Sequence, residues 1–258
     1  MRRGGLLLAW LLAGHAVAAG FYALLITLAD ANAFLLALSA LSLLGGLTTW
    51  ALTDATALAW LVPGTSFRDA WRCALRRGVP AFVLAAALLF LCWWVFGRAY
   101  DWYRAHTGQI DAWLMATFDT TRTQWVHRAA AALHYVLRNL VAVSLAASLM
   151  AAAVIGGLRA ALSLRWVASG LSRFQLGLVT GAIVSLITVP WTFVDWRPDS
   201  LPATSIETVF VALKLSALVV LAHLAWALIL FAAQQTYGSS RQPRPAASAP
   251  ATHAAERS

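Results

Sequence analysis

Four ionisable side chains interrupt long apolar runs in this chain: His15, Asp54, Lys214 and His223. A charge is costly in such surroundings, so residues of this kind mark proton relays, ion or substrate paths and cofactor ligands. His15, Asp54 and His223 each lie about 8 to 11 residues from the arginine-rich end of their run, about 12 to 16 Å deep at the helical rise. One level therefore accommodates all three. There they suit a proton relay, a substrate-binding constellation or a pair of imidazole ligands to a b-type haem. The simpler alternative is that each bonds to a neighbouring helix, with Ser39, Ser42, Thr49, Thr53, Ser144 and Ser148 as partners. Lys214, the only lysine, sits about five residues inside the other end of its run, where its stem snorkels to headgroups.

The elements that carry these residues follow from composition. The chain has 258 residues, 61% hydrophobic and only 11% charged, more apolar surface than a soluble domain of this length buries. The apolar residues fall in runs of about twenty, the length of a helix crossing a hydrocarbon core about 30 Å thick. Six such runs predict membrane helices over 6–28, 34–62, 79–96, 140–162, 176–194 and 209–233, the second able to tilt or to kink near Gly45 and Gly46. Met1-Arg2-Arg3 before the first run resembles the start of a signal peptide, but the run exceeds a signal's apolar core and reads as a retained helix.

Arginines set the orientation. Arg2, Arg3, Arg68, Arg72, Arg76, Arg77, Arg159, Arg165, Arg173, Arg241 and Arg244 share one side, which predicts that both termini are cytoplasmic. Asp30, Asp101, Asp111, Asp119, Asp195, Asp199 and Glu207 fall on the other, with fewer arginines. Aromatic residues predict interfacial belts: Trp93, Trp94, Tyr100, Trp102, Tyr103, Tyr135, Trp191 and Trp196 outside, and Trp60, Trp71, Trp166 and Tyr237 inside. The net charge of +9 then points to anionic headgroups rather than nucleic acid, for which no motif is present.

An eleven-residue pattern recurs after the second and fourth runs, at 66–76 and 163–173. Serine and both outer arginines align, and Phe67, Ala70, Trp71 and Ala74 match Leu164, Val167, Ala168 and Leu171 at one-face helical spacing. Each copy predicts a short amphipathic helix on the membrane surface, so that a helix–interfacial helix–helix unit occurs twice. Arg68, Arg72 and Arg76 in the first copy, with Arg165 and Arg173 in the second, are the candidate lipid-headgroup contacts, while Phe67 and Trp71 enter the acyl boundary. The stretch from Thr65 to Arg77, entering an apolar helix, resembles the repeated juxtamembrane segment of bacterial six-helix proteins related to the membrane domain of glycerophosphodiester phosphodiesterases. The resemblance covers the two copies. It implies a membrane module, and no catalytic residue carries over.

The largest piece between membrane runs is 98–138. His106-Thr107-Gly108 reads as a helix end, followed by an amphipathic helix over Ile110, Trp113, Leu114 and Phe118. His127 and His134 share a face but lack a third ligand at useful spacing, so no metal is expected. Cys73 and Cys92 imply neither a disulfide framework nor a thiolate site. Residues 1–237 read as one all-α transmembrane domain and 238–258, rich in Ser, Pro, Ala and Arg, as a disordered cytoplasmic tail. No hydrolase, zincin, Walker or dinucleotide motif appears. The sequence expectation is a non-enzymatic structural or assembly protein of the bacterial inner membrane, without cofactor, that binds lipids, membrane subunits or copies of itself. The alternative expectation is a small-solute or ion transporter using the intramembrane polar residues.

Overall fold

The structure, a computed structural model, describes residues 2–28, 32–119, 122–193 and 205–239. Asp30, Asp195, Trp196, Asp199, Arg241, Arg244 and the expected tail from residue 240 onward lie outside the described residues, as do the side chains of Arg2 and Glu207. Every regular element among the described residues is helical. In chain order these are α1 (Arg2–Thr27), α2 (Ala33–Trp60), α3 (Phe67–Ala105), α4 (Thr107–Phe118), α5 (Gln124–Gly156), α6 (Leu158–Ala161), α7 (Arg165–Gly170), α8 (Arg173–Thr192) and α9 (Ser205–Ser239). Six of them, α1, α2, α3, α5, α8 and α9, are long and apolar enough to cross a bilayer. The chain is a multi-pass, all-α membrane protein.

Packing runs α1 on α2, α2 on α3 and α3 on α5, while α9 lies against α8, α5 and α1. The last turns of α5 are the centre, with Ala146, Ala147, Leu149, Met150, Ala151, Ala152, Ala153 and Val154 all buried. Small side chains dominate because helices in lipid gain nothing from hiding apolar surface as such and associate through close backbone approach. On α3 the residues Ala70, Ala74, Gly78, Ala81 and Ala85 form one buried stripe. A Cβ on Gly78 would stand 3.0 Å from the Ala55 Cβ, so glycine there sets the α2–α3 distance. Gly45 acts likewise against the Phe21 ring, at 2.8 Å, and α2 runs unbroken through it.

The two copies of the recurring pattern fold differently. The first is no separate surface helix: Ser66 caps α3, accepting from the Asp69 N–H at 3.2 Å, and the helix continues through Pro80 to Ala105 for 39 residues. At the helical rise that is roughly 58 Å, about twice the hydrocarbon thickness, so α3 projects well beyond it. Ala70 and Ala74 are buried between helices, and Phe67 and Trp71 pack on Trp10 at ring distances of 5.1 and 5.9 Å. Around the second copy, Gly157 ahead of it, at φ 77°, and Leu164 within it, at φ 54°, break the chain into the short α6 and α7. The aligned residues Leu164 and Leu171 are exposed there, whereas Trp166, Ser169 and Gly170 are buried. The serine that starts the next long helix is Ser172, capped onto Gln175, a serine–glutamine capping pair that the pattern match at Ser163 passes over.

The piece between α3 and the buried part of α5 matches its reading in part. α3 ends at Ala105 and α4 follows. The fourth membrane helix begins at Gln124 rather than near 140, and a π-helical stretch, Val136–Val141, lies within it. A second π stretch, Val184–Thr188, interrupts α8. The Tyr135 and Thr188 hydroxyls, 2.8 Å apart, join the two irregular turns. Trp166 and Tyr237, expected at an interface, are buried in the core; the Trp166 indole N–H donates to the Ala161 carbonyl at 2.7 Å.

Candidate functional site

Three of the four intramembrane ionisable residues meet, and for His15 and Asp54 the reason lies one residue away from each. A Cβ on Gly14 would stand 2.2 Å from Thr53 Oγ1, so α1 and α2 touch there backbone against side chain. Trp10 locks the crossing by donating its indole N–H to the Thr53 carbonyl at 3.0 Å. The next residues in each chain, His15 and Asp54, then fall within hydrogen-bonding reach: His15 Nε2 is 3.1 Å from Asp54 Oδ1. The third wall is α9, whose Trp226 donates its indole N–H to the same Oδ1 at 2.9 Å.

Asp54 is fully buried, and its Oδ2 has no hydrogen-bond partner among the described residues. Its charge and that of His15 are linked through one short bond, so the neutral pair and the ion pair share the same geometry. Of the Ser and Thr hydroxyls expected as partners, those of Thr53, Ser144 and Ser148 bond elsewhere. Thr53 donates to Thr49 O at 2.7 Å and Thr56 to Leu52 O at 2.6 Å, each within its own helix. Ser144 and Ser148 belong to a separate cluster.

His223 stands beside the pair, its ring centroid 5.0 Å from that of His15. Its Nδ1 lies 2.6 Å from the Val219 carbonyl, which only accepts, so Nδ1 carries the hydrogen and Nε2 of the neutral ring keeps a lone pair. By the same logic His15, donating from Nε2 to a carboxylate, keeps its lone pair on Nδ1. The His15 ring also meets Trp50, with centroids 5.5 Å apart. Together His15, Tyr22, Trp50, Ala222, His223 and Trp226 wall a cavity of about 320 Å³, made roomy by Ala18 and Ala19.

Lys214 is elsewhere. Nine residues along α9 from His223, about 14 Å at the helical rise, it borders a different cavity beside Pro190 and Phe193, and its ammonium sits 4.9 Å from the Phe210 ring.

Of the candidate headgroup contacts, Arg68, Arg72, Arg76, Arg165 and Arg173 are all exposed. Arg72 pairs with Asp69 at 4.0 Å across one helical turn, and Arg165 borders a cavity of about 660 Å³ with Ser172, Phe174 and Thr236. Arg77 does something the charge pattern does not announce. Its Nη1 donates to the Val154 and Ile155 carbonyls at 3.1 and 3.3 Å, satisfying the end of α5 where the chain turns at Gly157.

Two further clusters escaped sequence reasoning. Gln175 is fully buried between α5, α8 and α9: its Oε1 accepts from Ser148 at 2.9 Å and Thr236 at 2.7 Å, and its amide donates to the Ser144 carbonyl at 2.9 Å. The signal is the pair of serines on α5, Ser144 and Ser148, which the sequence offers as hydrogen-bonding partners without saying to what. At the opposite end of the bundle His127 bridges Asp111 Oδ1, 2.9 Å from Nε2, and the Tyr103 hydroxyl, 2.5 Å from Nδ1, tying α3, α4 and α5 together. His134 instead stacks on Tyr100 at 4.3 Å. No group of three potential metal ligands occurs among the described residues.

Comparison with protein-family models, with curated proteins and with solved structures finds no match for this chain, so the reading of its function rests on the geometry of the site itself.

Proposed function

We propose that this is a non-enzymatic, proton-linked transporter of a small solute in the bacterial inner membrane, working through His15, Asp54 and His223. The observation that carries the reading is Asp54: a fully buried carboxylate within membrane helix α2, one oxygen shared by His15 and Trp226, the other without a partner among the described residues, behind a cavity that those two residues wall. A carboxylate there is expensive, and a merely structural role would be served by a fully satisfied amide. In this reading His15 keeps Nε2–H on Asp54 and takes up or releases a proton at Nδ1. His223 offers a second basic nitrogen one ring contact away, reached through a bridging water or solute. Haem ligation by the two histidines fits poorly, since the rings touch each other and His15 Nε2 is committed to Asp54.

Both termini are cytoplasmic in this reading. Its support is that Arg3, Arg68, Arg72, Arg76, Arg77, Arg159, Arg165 and Arg173 gather at one end of the bundle. A scaffold that holds anionic lipids, other subunits or a second copy is the second reading, favoured by the exposure of Arg68, Arg72 and Arg76 along α3.

Proton flux into dye-loaded liposomes that also hold a panel of small organic cations, anions and neutral solutes tests the transport reading. Flux above that of empty liposomes is expected for the wild type, and its absence from wild-type vesicles removes the reading.

A further inference from the structure

We infer that the solute taken by this site is a monovalent organic cation of amine or quaternary-ammonium type carrying an apolar substituent, and that it exchanges for the proton on His15. This rests on the transport reading above and adds the chemistry of the ligand.

The cavity has three kinds of wall. Tyr22, Trp50 and Trp226 present aromatic rings, His15 and His223 imidazoles, and Ala18, Ala19 and Ala222 small apolar surface, so few groups replace the water of a strongly hydrated ion. A soft, weakly hydrated cation is different: it is attracted to ring faces and loses little on leaving water. Behind the wall lies the Asp54 carboxylate, whose Oδ2 has no hydrogen-bond partner among the described residues. The titratable groups that face one another here are His15 and Tyr22 from α1, Asp54 from α2 and His223 from α9, while α3 contributes only Phe82 against Trp50. Asp54 is the one carboxyl group among them, so with that carboxylate ionised the site balances one positive charge.

That single charge is either a proton or the ligand. With His15 protonated, Asp54 is paired and the cavity repels a cation. When the cation enters, the proton leaves from His15 Nδ1 to water, the ring becomes neutral, and Nε2–H stays on Asp54. Charge is conserved: one cation enters and one proton departs. The volume, about 320 Å³, suits a ligand of one ring and a substituted nitrogen.

The test uses the full-length protein in nanodiscs and benzyltrimethylammonium, a permanent cation that has no proton of its own to give. Calorimetry in two buffers of different ionisation enthalpy is expected to read saturable binding with about one proton released per cation, and binding that weakens as the pH falls. Trp50→Leu, on a wall that is 38% exposed, removes a ring without disturbing the core and is expected to weaken binding about tenfold while leaving the proton count unchanged. Asp54→Asn is expected to abolish both. Neopentylbenzene, the neutral hydrocarbon of the same shape, is expected not to bind. Absence of wild-type binding, equal binding of the neutral hydrocarbon, or binding without proton release would each overturn the assignment. Proton flux that persists in liposomes while the cation fails to bind removes the ligand class and leaves the transport reading standing. Absence of both removes the two together.

Discussion

His15 Nε2 and Asp54 Oδ1 lie 3.1 Å apart across the point where α1 and α2 come closest, and that approach exists because Gly14 admits Thr53. The polar pair and the packing contact are therefore one structure. A residue with no chemistry of its own sets the distance on which the chemistry depends.

Gly14→Ala is accordingly expected to act twice. Its new Cβ would stand 2.2 Å from Thr53 Oγ1, so the helices must part. Overpacking of this kind costs about 1–3 kcal/mol, and the parted helices lengthen the His15–Asp54 bond. Thermal unfolding in detergent should show the loss of stability, and proton flux should drop with it. Gly20→Ala on the same helix, with open space around it, should leave both unchanged.

Arg77 and Arg76 are neighbours in sequence and differ in role. Arg77→Leu removes two charge-assisted bonds to the final carbonyls of α5 and should destabilise the protein by about 1–2 kcal/mol. Arg76→Leu, an exposed residue, should stay within about 0.5 kcal/mol. Equal unfolding curves for the two variants would contradict the capping role.

Gln175→Leu leaves the Ser148 and Thr236 hydroxyls without their shared acceptor and the Ser144 carbonyl without its donor. Each buried group so orphaned costs about 1–3 kcal/mol, although Thr236 retains its own-helix carbonyl at 2.9 Å. Denaturant titration should show a loss of about 2–4 kcal/mol, with flux per folded molecule unchanged, because this cluster does not touch the His15 site.

The legible part of the fold was the part written in one dimension. Apolar runs announce membrane helices because backbone groups in lipid must be satisfied within the segment, and six helices of that kind are present. The depth argument likewise put His15, Asp54 and His223 at one level, and they meet. It also separated Lys214, which lies elsewhere. What the sequence left hidden was which faces touch. Phe67 and Trp71 read as membrane anchors, and amphipathic spacing does not say that both also pack on Trp10, Phe67 staying exposed as it does so. Ser144 and Ser148 were possible partners for Asp54, yet the distant Gln175 claims both hydroxyl-bearing turns. Trp226, the second donor to Asp54, is an ordinary aromatic residue in an apolar run until α9 is laid against α2.

The most direct measurement compares proton flux across liposomes holding equal amounts of wild-type protein, Asp54→Asn, His223→Ala and the triple variant Arg68→Gln, Arg72→Gln, Arg76→Gln, with monodispersity checked for each. The account predicts that Asp54→Asn and His223→Ala fall to the rate of empty liposomes while the arginine variant keeps its flux. Wild-type flux in both site variants would contradict it, and loss confined to the arginine variant would favour the scaffold reading instead.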